Sequence, residues 1–197
     1  MKTRLRPVRR ADEGATLTEF ALIFGLLLII ALGAFEYGMA FRNWLSVTAA
    51  AREGGRVAAS AANFGDADCV ILEATAGGLQ SFRSGEVTHV HIYKSNLSGA
   101  YAVDGDVNIY RPRIVGEDVS GLLLVCGGTG TWVHENPPEQ WPPADRINTE
   151  GEADWIGVRV EFDHHWQTNL LWWSGSVGWT DDAFFRLEPP APNTTLP

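Results

Sequence analysis

Residues 13–35 read EGATLTEFALIFGLLLIIALGAF, and this stretch decides the architecture of the chain. From Phe20 to Phe35 it holds no charged or strongly polar side chain, and extension to Phe41 adds one charge, Glu36. Residues 17–41 are therefore long enough to cross a bilayer, which takes about 20 predominantly apolar residues. Glu19 stands at the head of the run, where a carboxylate is costly in lipid and asks for a reason. In front lies MKTRLRPVRRADEG, in which Lys2, Arg4, Arg6, Arg9 and Arg10 outnumber Asp12 and Glu13. Basic residues ahead of the run and few after it put the N-terminus in the cytoplasm and the remainder outside.

A secretory signal offers a competing reading. Its apolar core spans about 7–15 residues before a small-x-small cleavage site, and Gly38-Met39-Ala40 would provide such a site. Arg9-Arg10 suggests twin-arginine export, which the acidic Asp12-Glu13 fits poorly. Two features favour a permanent anchor: the run is longer than a signal core, and helical sequence continues beyond it. Residues 41–62, FRNWLSVTAAAREGGRVAASAA, are rich in alanine and lack proline, so one helix is expected from Leu17 to about Ala62. Gly54 and Gly55 weaken it by about 1 kcal/mol each relative to alanine. Glycines inside a helix often mark the close approach of another backbone.

The 197 residues suffice for one ordinary soluble domain plus a long helix. The formal net charge is −9, and the body is more acidic still once the basic leader is set aside. That argues against nucleic-acid binding, which needs basic surface. Cys69 and Cys126 fall in the half placed outside the cytoplasm, where disulfides are permitted. One bridge, or two small buried apolar side chains, are both open readings.

Beyond Ala62, residues 66–82 are expected to form a short second helix broken near Gly77-Gly78. Residues 86–93 (EVTHVHIY) read as a strand, with shorter candidates at 107–110 and 122–125. The clearest strand is 155–162, where Ile156, Val158, Val160 and Phe162 alternate with Trp155, Gly157, Arg159 and Glu161. A last strand is expected at 183–187. A helix first and then a mainly antiparallel sheet predicts an α+β fold, with one helix face on the sheet. Residues 134–143 read as an exposed proline-rich loop.

Other chemistry finds little support. His89 and His91 share a strand face and His164-His165 end another, but no zinc-ligand spacing is present, so no metal site is expected. Asp104-Gly105-Asp106 resembles the start of a calcium loop, yet Ile109 stands where glycine is required and Val115 where glutamate is. Seven tryptophans follow residue 130. Exposed, they would form a glycan-binding patch or a subunit contact. Trp155 is expected in the core and Trp172-Trp173 in an apolar hairpin, while Trp132 and Trp141 stay open. No nucleophile constellation, phosphate loop or catalytic carboxylate pair emerges, so neither an enzyme nor a cofactor is expected.

Gly14, a four-residue spacer, Glu19-Phe20 and an apolar helix together resemble the processing site of type IV prepilins. A second stretch, AAAREGGRVAA at 49–59, narrows the resemblance to the TadE-like family, pilin-like proteins of bacterial tight-adherence (Flp) pilus assembly. The likeness is strong from Gly14 to Ala62 and weaker in GVRVEFDHHW and FFRLEP. Alone, Arg52, Glu53 and Arg56 would read as the solvated face of a surface helix.

The resemblance implies a leader of residues 1–14, removed between Gly14 and Ala15 by a prepilin peptidase, and a transmembrane and amphipathic helix over 15–62. It further implies an extracytoplasmic, pilin-like α+β domain over 63–188; residues 189–197, by their prolines and terminal position, read as a disordered tail. Glu19 and Phe20 would set helix register in the membrane, and Arg52, Glu53, Gly54, Gly55 and Arg56 would form a helix-packing motif. Implied partners are other pilin-like subunits, the inner-membrane pilus assembly platform and membrane lipid. Cleavage requires an extended, accessible peptide ahead of the helix, and Gly14 supplies backbone without a side chain. The rival is an uncleaved single-pass anchor carrying a periplasmic, glycan-binding domain.

Overall fold

The alanine-rich, proline-free stretch predicted to be helical is continuous in the computed structural model. The structure describes residues 11–61, 63–80, 82, 86–114, 123–124, 126, 132–168 and 174–189. Helix α1 runs Ala11–Ala61, 51 residues without a break, or about 76 Å at about 1.5 Å per residue. It begins six residues before the expected Leu17 and takes in Gly14. Its two halves differ sharply. Residues 16–31 are all exposed, whereas burial recurs at Gly33, Glu36, Ala40, Val47, Ala50, Ala51, Gly54, Gly55, Ala58 and Ala59.

That spacing of three, four and seven residues is the stripe of a helix lying on a core. The second helix, α2, spans Ala67–Gly78. It packs against α1 through Ala50 opposite Gly78 and Gly54 opposite Thr75, so the two run in opposite senses. Cys69 of α2 is joined by a disulfide to Cys126, with their Cα atoms 5.1 Å apart.

Six strands follow among the described residues: β1 (Val87–Ser95), β2 (Val107–Pro112), β3 (Leu123–Leu124), β4 (Trp132–His134), β5 (Trp155–His165) and β6 (Ser176–Arg186). They form one sheet in the order β3-β4-β2-β1-β5-β6, with every neighbouring pair antiparallel. Period-two alternation sorts the side chains. Val90, Ile92, Tyr110, Ile156, Val158, Val160 and Phe162 share one core with Val47, Ala50, Ala58, Ile71 and Leu72. The fold is α+β, with the outer half of α1 and α2 layered on one face of the sheet.

Several expectations shift. Strand β6 is 11 residues long and reaches back to Ser176, where Gly178 and Asp181-Asp182 dilute the apolar signal. Strand β4 is new, and its last residue, His134, opens the stretch read as an exposed loop. Trp132 and Trp141 are buried, 4% and 2% exposed, so the proline-rich segment folds its tryptophan inward. Trp155 lies on the sheet face away from the core, half-buried and 6.1 Å from the Phe184 ring. The leader residues 1–10, Ala62, Trp172-Trp173 and residues 190–197 lie outside the described residues.

Candidate functional site

Gly14 and Ala15 sit inside α1, not in an extended peptide ahead of it. The Thr18 hydroxyl donates to the Gly14 carbonyl over 3.3 Å, one turn along, as helical geometry dictates. A protease cutting here would have to unwind the first turn, for which an exposed helix end is the least costly place. Glu19 is exposed on this free half, and Phe20 stacks on Phe24 with ring centroids 5.7 Å apart.

Where the helix meets the domain, residues 52–56 divide by role. A Cβ on Gly54 would run into Thr75 Oγ1 and come within 3.2 Å of Val158 Cγ1. On Gly55 it would lie 2.7 Å from the Phe185 ring and 3.3 Å from the Ala183 carbonyl oxygen. Glycine is thus what lets α1 touch α2 on one side and the sheet on the other. Arg52 is exposed. Arg56 reaches back to Glu53 through Nε to Oε2, 3.1 Å, and Nη2 to Oε1, 2.6 Å. The pair holds the Glu53 carboxyl below its usual range, chiefly through the Arg56 hydrogen bonds. Exposed as it is, it adds little to stability.

A third element of the seat is Glu36. Fully buried, its carboxylate accepts the backbone N–H groups of Gln167 at 3.1 Å and Thr168 at 2.5 Å. This ties the helix to the loop after β5 at the point where the exposed half begins. Nearby, Asn43 Nδ2 meets His164 Nδ1 at 3.1 Å, and Thr48 donates to Asp181 of β6. Tyr37, Phe41, Trp44 and Trp179 line an open groove of about 600 Å³ beside this seat. By length and composition α1 can cross a membrane, and only 6% of its most apolar window is buried in the domain.

A free apolar half, an acid at its head and a glycine seat at its far end are the features seen in the sequence resemblance. Residues 14–56 match the family model of TadE-like proteins. The match opens on Gly14 and ends on Arg56, so it takes in the membrane-length run, Glu19 and the glycine seat. No curated protein and no solved structure matches the chain.

Beyond the TadE-like segment the structure brings together residues that sequence reading passed over. Asp68 of α2 is buried with Arg146, whose Nη2 lies 2.5 Å from Asp68 Oδ1. The second carboxylate oxygen accepts from Tyr110 Oη at 2.7 Å and Asn108 Nδ2 at 2.9 Å. Asn108 also pairs with the Trp141 backbone in both directions, and Arg146 lies 4.9 Å from the Trp141 ring. Burial and the Asp68 charge raise the Tyr110 phenol well above its ordinary value. The network pins α2, β2 and the proline-rich segment together.

On the opposite sheet face, His89, His91 and Glu161 converge, their ligand-type atoms all within 4.8 Å of one another. His164 is not part of this group. It points to the core side, 1% exposed, stacked on Trp179, and burial lowers its pKa. His165 is exposed.

Proposed function

We propose that the protein is a pilin-like component of a bacterial tight-adherence pilus assembly system, anchored by α1 with its sheet domain outside the cytoplasm. The observation that carries this reading is the TadE-like match over residues 14–56, laid on a helix whose residues 16–31 are exposed throughout. That free half is about 24 Å long at about 1.5 Å per residue, and extension to Phe35 brings the apolar run to about 30 Å, a bilayer's hydrocarbon thickness.

A prepilin peptidase would remove the leader after Gly14 and expose the α-amino group of Ala15. Its ordinary pKa of about 7.7–8.0 leaves it mostly cationic at neutral pH. Glu19 then has a partner in the amino terminus of a neighbouring subunit as helices pack side by side. A lone carboxylate at the bilayer centre costs about 2.5–3.5 kcal/mol on insertion scales, and a paired amine offsets much of this. The pair would act as a register device between subunits, while other proteins hydrolyse ATP.

Glu19→Ala is the direct test. The variant should be processed and inserted normally but fail to cross-link to other pilin-like subunits in the inner membrane. Unchanged cross-linking would overturn the register role. The helical setting of Gly14 favours a second reading, an uncleaved single-pass anchor with a periplasmic, glycan-binding domain, which an intact Met1 terminus in cells together with saturable sugar binding would support.

A further inference from the structure

The outer face of the sheet carries a constellation unrelated to the membrane helix. His89 and His91 project from β1 on the same side, and the β1–β5 register sets His89 opposite Glu161 and His91 opposite Arg159. Glu161 lies between the two imidazoles: its Oε2 is 3.4 Å from His89 Nδ1 and its Oε1 is 3.5 Å from His91 Nε2. A tetrahedral zinc ion with bonds of about 2.0–2.1 Å separates its ligand atoms by about 3.3–3.4 Å; each imidazole already stands near that distance from one carboxylate oxygen, and the three ligand atoms, all within 4.8 Å of one another, would each draw in by about 1 Å at most on binding.

His91 supplies an independent observation. It is 7% exposed, and its buried Nε2 makes no hydrogen bond, facing only the Glu161 carboxylate at the 3.5 Å given above. Its other nitrogen, Nδ1, is held 2.5 Å from Tyr101 Oη. Fixing one imidazole nitrogen by an outer hydrogen bond while the other faces the site is how metal-binding histidines are oriented. A buried nitrogen without a hydrogen bond is unfavourable, and coordination would satisfy it. Arg159 is the one cation among the described residues beside the group. It is drawn aside, 3.9 Å from the Tyr101 ring centroid and 3.5 Å from Asp182 Oδ1.

We propose that His89, His91 and Glu161 form a site for one divalent transition-metal ion, zinc in the first instance, bound by two imidazole nitrogens and a carboxylate. Two nitrogens and one oxygen suit zinc over calcium or magnesium, which prefer oxygen ligands. Half-exposed His89 and Glu161 leave the fourth position open to water or to a donor from another molecule. Bound metal would clamp β1 to β5.

The test is titration of the metal-free, untagged full chain in detergent with Zn2+, read by calorimetry and by competition with a chromophoric chelator. Saturable binding of one equivalent is expected, weakened at least tenfold by His91→Ala, Glu161→Gln or His89→Gln and unchanged by His165→Ala. The two substitutions at half-exposed positions guard against simple unfolding, and their circular dichroism should match that of the parent. Co2+ should give the intense visible bands of a low-symmetry, tetrahedral-type site. Absent saturable binding, binding indifferent to Glu161→Gln and His89→Gln, or equal affinity for Ca2+ and Zn2+ would overturn the proposal.

Discussion

Replacing Gly54 by alanine tests whether the seat of α1 is as tight as the geometry says. On an open helix face this change is favourable by about 0.8–1.0 kcal/mol, because glycine loses more backbone entropy on folding than alanine. Here the new methyl would occupy the place of Thr75 Oγ1 and press within 3.2 Å of Val158 Cγ1. Thr75 cannot rotate away freely. It is fully buried, and its hydroxyl donates to the Ile71 carbonyl at 2.8 Å. Losing that bond costs about 1–3 kcal/mol, and holding Thr75 in place costs a similar amount in overpacking.

The cost outweighs the propensity gain, leaving a net destabilisation of about 1 kcal/mol, or about 2–4 °C in midpoint for a chain of this size. Gly77 provides the contrast: it lies in α2, and a Cβ at that position would meet nothing within 4 Å. Gly77→Ala should raise the midpoint by up to about 2–4 °C. Thermal unfolding of both variants of the full chain in detergent, followed by circular dichroism, reads the two signs side by side. A Gly54→Ala protein as stable as or more stable than wild type would refute the close-packed seat.

Two further outcomes follow from buried polar groups. Asp68→Ala leaves Arg146, whose side chain is fully buried, without its counter-charge and should cost about 3–5 kcal/mol, seen as a large drop in denaturation midpoint. Burial lowers the pKa of His164 in the folded state, against the opposing pull of Glu36 and Glu86 and with a push in the same direction from His165. The unfolded chain takes up a proton there near pH 6.5, so stability should be full above that pH and fall as pH drops below it. His164→Gln should flatten this part of the stability profile measured by chemical denaturation.

Much of the helix was legible in the sequence because its signals are local. The apolar run from Phe20 and the proline-free alanine stretch each state helix on their own, and Ile156 to Phe162 alternate plainly enough to announce β5. The start at Ala11 was less visible, since capping and dipole effects at a helix end are small beside the strong pattern that follows. The glycine seat was legible as a close approach but not in its partners, because Thr75, Val158 and Phe185 come from distant parts of the chain. Asp68 and Arg146 are 78 residues apart, and nothing at either position distinguishes them from surface charges. His89 and His91 announced a shared face. Glu161 joined them only through the β1–β5 register, which a one-residue slip would have turned to the other side.

The mature N-terminus tests the central claim most directly. Intact-mass and terminal-peptide spectrometry of the membrane-extracted protein, from cells with and without their prepilin peptidase, reads it at single-residue resolution. A peptidase-dependent start at Ala15, abolished by Gly14→Asp, is the predicted result. A start at Met1 in both strains, or one near Phe41, would contradict it.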